Sequence, residues 1–180
     1  VKGQYQISVT VFGKQVSKIL LRNNSRVGDI VCLSGQLGNG LFGMQNFKKR
    51  NRENVISSAY LKPKALIDYG KSIAGFASSA IDISDGFLQD LGHLSKASNV
   101  GFELSSSSIP YNSNLSLNKC LNCGDDYQLI FTVPKKNIRS LAVKMKKMNF
   151  EMYQVGTSIK TKKIYLDGKI TSLNKGYKHF

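Results

Sequence analysis

Acidic residues are scarce in this chain: 11 Asp and Glu stand against 26 Lys and Arg, a formal net charge of +15 over 180 residues. Such an excess suits nucleic acid, an acidic surface or a polyanionic small substrate. The cations are spread along the whole chain. Their densest runs (Lys48-Lys49-Arg50-Asn51-Arg52, Lys144-Met145-Lys146-Lys147 and Lys160-Thr161-Lys162-Lys163) lack the interleaved aromatics of a single-strand binder, so solvated basic faces are the plainer reading. Cysteine is also sparse. Three residues, Cys32, Cys120 and Cys123, cannot make a disulfide framework, which points to reduced thiols and a cytoplasmic setting. Cys120-x-x-Cys123 has no second Cys or His pair nearby, because the two histidines are His93 and His179; this speaks against a zinc or redox centre. No apolar run reaches the length of a membrane span, and Val1-Lys2-Gly3-Gln4 does not read as a signal peptide. Val1 is not an initiator Met, so the expectation is a fragment or processed chain.

What is present is an ordinary apolar fraction, enough for a core in one domain or a little more. The pattern centres on residues 79–91. Small and apolar residues 77–83 read as a buried strand, Ser84-Asp85-Gly86 as a turn, and Phe87, Leu88, Leu91 and Leu94 as one face of a helix. Ser84 or Asp85 is a natural N-cap. Asp82 and Asp85 therefore sit at a strand end and a helix start, where α/β folds bind ligands. Paired hard oxygen donors there suit Mg²⁺ with substrate phosphates. The plainer alternative is a capping Asp85 and a solvated Asp82.

Around this centre, residues 4–12 alternate as a half-buried strand, 30–34 read as a second strand, and residues 35–40 form a glycine-rich turn before a helix at 41–46. That turn resembles a phosphate cradle but carries no GK[ST], so it is not a Walker loop. Pro63 is expected near the first turn of a helix through Ile73. Strands are expected at 101–104, 128–133, 152–156 and 163–166, with an Asp167-Gly168 hairpin turn. A short helix is expected to end at Cys120, and a helix after Pro134 has core-spaced Ile138, Leu141, Met145 and Met148. Alternating strands and helices give an α/β or α+β class.

The motif Ala80-Ile81-Asp82-Ile83-Ser84-Asp85-Gly86-Phe87-Leu88-Gln89-Asp90-Leu91-Gly92-His93 is followed in order by three others. They are Ile109-Pro110, Gly124-Asp125-Asp126-Tyr127-Gln128-Leu129-Ile130-Phe131-Thr132-Val133-Pro134, and Lys175-Gly176-Tyr177-Lys178-His179-Phe180. Together they resemble the thiamine-monophosphate kinase family over nearly the whole chain. That family shares a superfamily with aminoimidazole-ribonucleotide synthetase and selenophosphate synthetase. The resemblance implies a C-terminal α/β domain with a mixed sheet and packed helices, residues 25–180. Residues 1–24 would be the last strand of an N-terminal ATP-binding domain and a linker. It implies ATP-dependent, Mg²⁺-assisted phosphorylation of thiamine monophosphate to thiamine diphosphate. It also implies a homodimer formed through an N-terminal domain and a chain inactive by itself.

By the same resemblance Asp82 and Asp85 bind Mg²⁺, Arg22 and Ser84 bind ATP, and Asp125 and Tyr177 contact thiamine phosphate. Asp125 stands where the family usually has Glu, Cys123 where it has Gly, and Gln128 where it has Glu. A phosphate acceptor is already ionised near neutrality, so no catalytic His is needed and His93 reads as a helix-surface residue. The alternatives are another ATP-using member of the superfamily, or a basic nucleic-acid-binding module.

Overall fold

Seven short strands make one sheet in the order β2-β4-β1-β5-β3-β6-β7. They are β1 (Ile30–Leu33), β2 (Ser79–Asp82), β3 (Gly101–Leu104), β4 (Leu129–Val133), β5 (Tyr153–Ile159), β6 (Ile164–Leu166) and β7 (Lys169–Ile170). The structure, a computed structural model, describes residues 3, 7–14, 18–49 and 54–171 in full and Arg50 by its backbone. Neighbouring strands run antiparallel except for β3 and β6, which are parallel. The helices are α1 (Asn39–Arg50), α2 (Ser58–Leu61), α3 (Ile67–Ile73), α4 (Phe87–Ser98), α5 (Leu117–Asn122) and α6 (Ile138–Lys147).

The period of two along each strand sorts side chains between two cores. On one face Val31, Leu33, Ile81 and Ile130 pack with Phe87, Leu91 and Leu94 of α4 and Leu121 of α5. On the other, Cys32, Phe131 and Val133 pack with Tyr69 and Ile73 of α3 and with Leu141 and Met145 of α6. Tyr69 meets Phe131 edge-on at 6.0 Å between centroids and lies 5.2 Å from Phe150, while its hydroxyl donates to the Glu151 carbonyl at 2.8 Å. A sheet covered on both faces explains why β1 and β4 read as continuous apolar runs. The expected alternation of strands and helices is present, but with antiparallel neighbours.

Several local features differ from the sequence expectation: Met148, expected at a core position, is the exposed C-cap of α6, and α5 runs past Cys120 to Asn122. Helix α1 extends to Arg50, beyond 46. A short α2 precedes Pro63, and α3 starts only at Ile67. Lys62, at φ −139°, ends α2 because a residue before proline is driven out of the helical region. Residues 7–14 pair with no strand among the described residues, and Ile7, Val9, Val11 and Phe12 are exposed. Alternation alone makes no strand without a neighbour to take its backbone hydrogen bonds; residues 4–6 lie outside the described set. From Ser25 the chain is locked in, since its hydroxyl joins those of Ser79 and Thr132 in a buried cluster.

Candidate functional site

Because β2 and β4 are antiparallel, the end of β2 lies beside the start of β4, and the loops beyond them run together. Ile83 N–H donates to the Gln128 carbonyl at 2.8 Å, Tyr127 N–H to the Ile83 carbonyl at 2.8 Å, and Asp125 N–H to the Ser84 carbonyl at 3.1 Å. The loop carrying Ser84 and Asp85 is thus laced to the loop carrying Asp125. The approach is close: a Cβ at Gly124 would collide with the Ser84 carbonyl oxygen. Five of the chain's eleven acids, Asp82, Asp85, Asp90, Asp125 and Asp126, lie in or beside these loops. In a chain of net charge +15 this is a strong local inversion of sign.

The expected side-chain cap by Ser84 or Asp85 is replaced by another device. The N-cap of α4 is Gly86, at φ +131°, with no side-chain cap bond. Instead, Asp90 in the first turn of α4 accepts from the backbone N–H groups of Ser84, Asp85 and Gly86 at 3.0, 3.0 and 3.2 Å, all on Oδ2. Burial pushes the Asp90 carboxyl above its usual value, with the three N–H bonds pulling the other way. Both candidate residues are therefore held by their backbones. Asp85 Oδ2 accepts from Gln89 Nε2 at 3.2 Å. The Ser84 hydroxyl forms no protein hydrogen bond among the described residues.

The second loop is fixed the same way. Asp126 is buried and accepts from Gly38 N–H at 2.7 Å and Gly40 N–H at 2.9 Å, at the start of α1. The glycine-rich turn does open a helix, but the anion it cradles is the carboxylate of Asp126, which corrects its likeness to a phosphate cradle. Asp125, exposed at φ +64°, and Tyr127, at φ +49°, take left-handed conformations that side chains other than Gly rarely adopt. Such strain collects at working sites. Tyr127 donates its hydroxyl to Asp125 Oδ1 at 3.3 Å. Partial burial first, then the Asp125 and Asp82 carboxylates, hold the Tyr127 phenol above its ordinary value.

Arg22 reaches the site from the side. The Leu21 carbonyl accepts from Ala80 N–H at 3.2 Å and the Arg22 carbonyl from the Ser98 hydroxyl at 2.7 Å. This brings exposed Arg22 and Asp82 to one open groove of about 610 Å³ lined also by Ala80 and Leu129. The structure thus gathers Asp82, Ser84, Asp85 and Asp125, with Arg22 sharing a groove with Asp82. Tyr177 lies outside the described residues. Asp90, Asp126 and Tyr127 sit within the motifs read from the sequence but had no role there. An acid four residues past a glycine was the available signal for Asp90; the pairing of Asp126 with a turn 86 residues away left no local one.

The three cysteines are free thiols, Cys32 and Cys120 buried and Cys123 half-buried. Burial pushes the Cys32 and Cys123 thiols up to about 12. Labelling of the folded protein with iodoacetamide at pH 8 is expected to be slower than that of an ordinary thiol by on the order of 10³-fold, because the thiolate is the nucleophile. Rapid stoichiometric labelling without unfolding would contradict this.

A mixed seven-stranded sheet with helices on both faces, and a pair of laced acidic loops at the ends of β2 and β4, defines an α/β domain of the aminoimidazole-ribonucleotide-synthetase-like superfamily. Residues 26–169 match the model of the AIR synthase related protein, C-terminal domain, and the chain belongs to that family. It is 33% identical over 197 residues to the thiamine-monophosphate kinase of Buchnera aphidicola subsp. Schizaphis graminum, covering 99% of this chain and 61% of that protein. It is 31% identical to that of Aquifex aeolicus, covering 97% and 58%. The solved complex of AaThiL with AMPPCP and TMP superposes with a TM-score of 0.78 at 30% identity, over 91% of this chain and 55% of that one. The chain thus spans about three fifths of the length of the curated relatives it matches. Among the described residues no helix is long and apolar enough to cross a membrane.

Proposed function

We propose that this chain is the C-terminal part of a cytoplasmic, ATP-dependent thiamine-monophosphate kinase that forms thiamine diphosphate. In this reading residues 1–24 belong to the last strand and linker of an N-terminal ATP-binding domain, through which the protein dimerises, and residues 25–180 form the C-terminal domain. The observation that carries the reading is the convergence of Asp82, Ser84, Asp85 and Asp125 on two laced loops, in a family whose relatives bear that kinase name.

The donor set fits a hard divalent cation. Asp82 and Asp85 offer carboxylate oxygens three residues apart, and Asp82 forms no ion pair with Lys or Arg among the described residues. These two residues would hold Mg²⁺, which when bound neutralises phosphate charge during transfer. The chain's own groups do the rest. Arg22 pairs with nucleotide phosphate as a two-pronged donor, and the free Ser84 hydroxyl donates to a phosphate oxygen. An oxygen of thiamine monophosphate forms the new P–O bond to the γ-phosphorus as the bond to ADP breaks, and ADP leaves with that electron pair. The attacking phosphate is largely ionised near neutrality, so no side chain has to remove a proton. Asp125, steadied by the Tyr127 hydroxyl, faces the cationic thiazolium, and Tyr177 offers it an aromatic face.

The test is formation of thiamine diphosphate from ATP and thiamine monophosphate by a protein joining this chain to an N-terminal portion like that of its relatives. Turnover is expected there and absent from the 180 residues alone. Asp125→Ala and Tyr177→Ala are each expected to raise KM for thiamine monophosphate more than for ATP, Tyr177→Ala by roughly 0.5–2 kcal/mol of binding. If both variants impair ATP use and spare thiamine monophosphate, the two residues belong to the nucleotide half.

A further inference from the structure

Beside the proposed nucleotide loop lies a second donor set of different chemistry. One carboxylate oxygen from each of Asp85 and Asp90 and one imidazole nitrogen of His93 all lie within 4.8 Å of one another. Asp90 and His93 are three residues apart on α4, which stacks them on one face, and Asp85 joins them from the loop that Asp90 itself holds. Such spacing lets three atoms meet one ion after small side-chain rotations.

Two further observations point to a ligand. Asp90 is only 2% exposed, yet every hydrogen bond it accepts goes to Oδ2, and its Oδ1 accepts none among the described residues. Asn122 Oδ1 is the one fully buried side-chain oxygen or nitrogen without a partner among the described residues, so Asp90 Oδ1 is not sealed off and can be reached by an incoming ion. His93 is exposed, so solvent reaches its side of the cluster and waters can complete an ion's coordination.

We propose that Asp85, Asp90 and His93 form a binding site for a divalent first-row transition metal such as Zn²⁺. Two carboxylates with one imidazole favour that class, whereas Mg²⁺ takes oxygen ligands. Oδ2 of Asp90 stays on the three loop N–H groups and Oδ1 meets the metal, so binding clamps the Ser84-Asp85-Gly86 loop onto α4. Asp85 has a second consequence, which rests on its role in the preceding section: a metal held with His93 draws Asp85 away from the nucleotide's Mg²⁺, so Zn²⁺ opposes the kinase reaction.

The decisive experiment is calorimetric titration of the 180-residue chain with Zn²⁺, with no nucleotide present, alongside His93→Gln and Cys123→Ser. The first variant alters an exposed side chain and leaves the fold intact; the second controls for thiol binding. The expected result is one Zn²⁺ per chain, weakened at least about tenfold in His93→Gln and unchanged in Cys123→Ser, with an anomalous diffraction peak among the three side chains. Equal affinity in His93→Gln, loss in Cys123→Ser or a peak elsewhere overturns the site. These readouts stand whether or not the kinase reading holds. Inhibition of the joined protein by Zn²⁺ that His93→Gln relieves is the separate expectation for competition at Asp85, and its absence with binding intact removes the competition alone.

Discussion

Replacing Asp85 by Asn in a protein that joins this chain to an N-terminal portion is expected to lower Mg²⁺-dependent turnover by about 100-fold or more, since even groups behind a metal's direct ligands are worth 10–100-fold. The substitution conserves size and removes one negative charge. The loop's three N–H groups are held by Asp90, and an Asn oxygen still accepts from Gln89. Stability should therefore change by no more than about 0.5 kcal/mol, which separates a ligand effect from a folding effect. The measurement is rate and ATP affinity against Mg²⁺ concentration. Lost affinity at low Mg²⁺, partly recovered at high Mg²⁺, is the expected signature. Asp82→Asn should behave alike, with a further change at Tyr127, whose phenol feels the Asp82 charge. Unchanged Mg²⁺ dependence in Asp85→Asn would take Asp85 out of the site.

The local pattern of the chain was legible where each segment decides its own structure. The apolar run 77–83, the turn and the 3.6-residue spacing from Phe87 to Leu94 appear as β2, the loop and α4. Asp167-Gly168 closes the hairpin to β7, with both residues at positive φ. Asp82 and Asp85 stood out because two acids at a strand–helix junction leave few plain explanations. What the sequence could not disclose were relations set by tertiary contact. The antiparallel pairing of β2 with β4 is what brings Asp125 to Ser84, and no local pattern encodes which strands become neighbours. The capping of α1 by Asp126 spans 86 residues or more. Asp90 looked like an ordinary polar helix position, and only the folded loop shows its carboxylate turned back on three N–H groups. Residues 7–12 mark the opposite case, in which a clear alternation finds no partner among the described residues.

Asp126 carries the largest expected effect on stability. Its carboxylate accepts from Gly38 and Gly40, while its own backbone sits between Asp125 and Tyr127 at the candidate site. Asp126→Ala leaves these buried N–H groups without an acceptor and opens a small void, costing about 2–4 kcal/mol. Substrate affinity should fall as well, because the Asp125 loop loses its anchor on α1. Asp126→Asn keeps one acceptor and should cost less. The pH dependence distinguishes the two terms. Burial, opposed by the N–H bonds at Gly38, Gly40 and Asn39, holds the Asp126 carboxyl above its usual value, and the Asp125 charge adds to the rise. The other titratable groups facing it are the Cys120 and Cys123 thiols, themselves held protonated by burial. Between the ordinary Asp value, about 3.9, and the raised folded value, the native state binds more protons than the unfolded one. The sign follows: this contribution makes the fold more stable at the acidic end, and stability is withdrawn as pH rises through the folded value. Denaturant unfolding from pH 4 to pH 7 should show that decline in the parent chain and a flatter profile in Asp126→Asn. A profile that rises over this range, and rises less in the variant, would mean that the three N–H groups outweigh burial and stabilise the charged form.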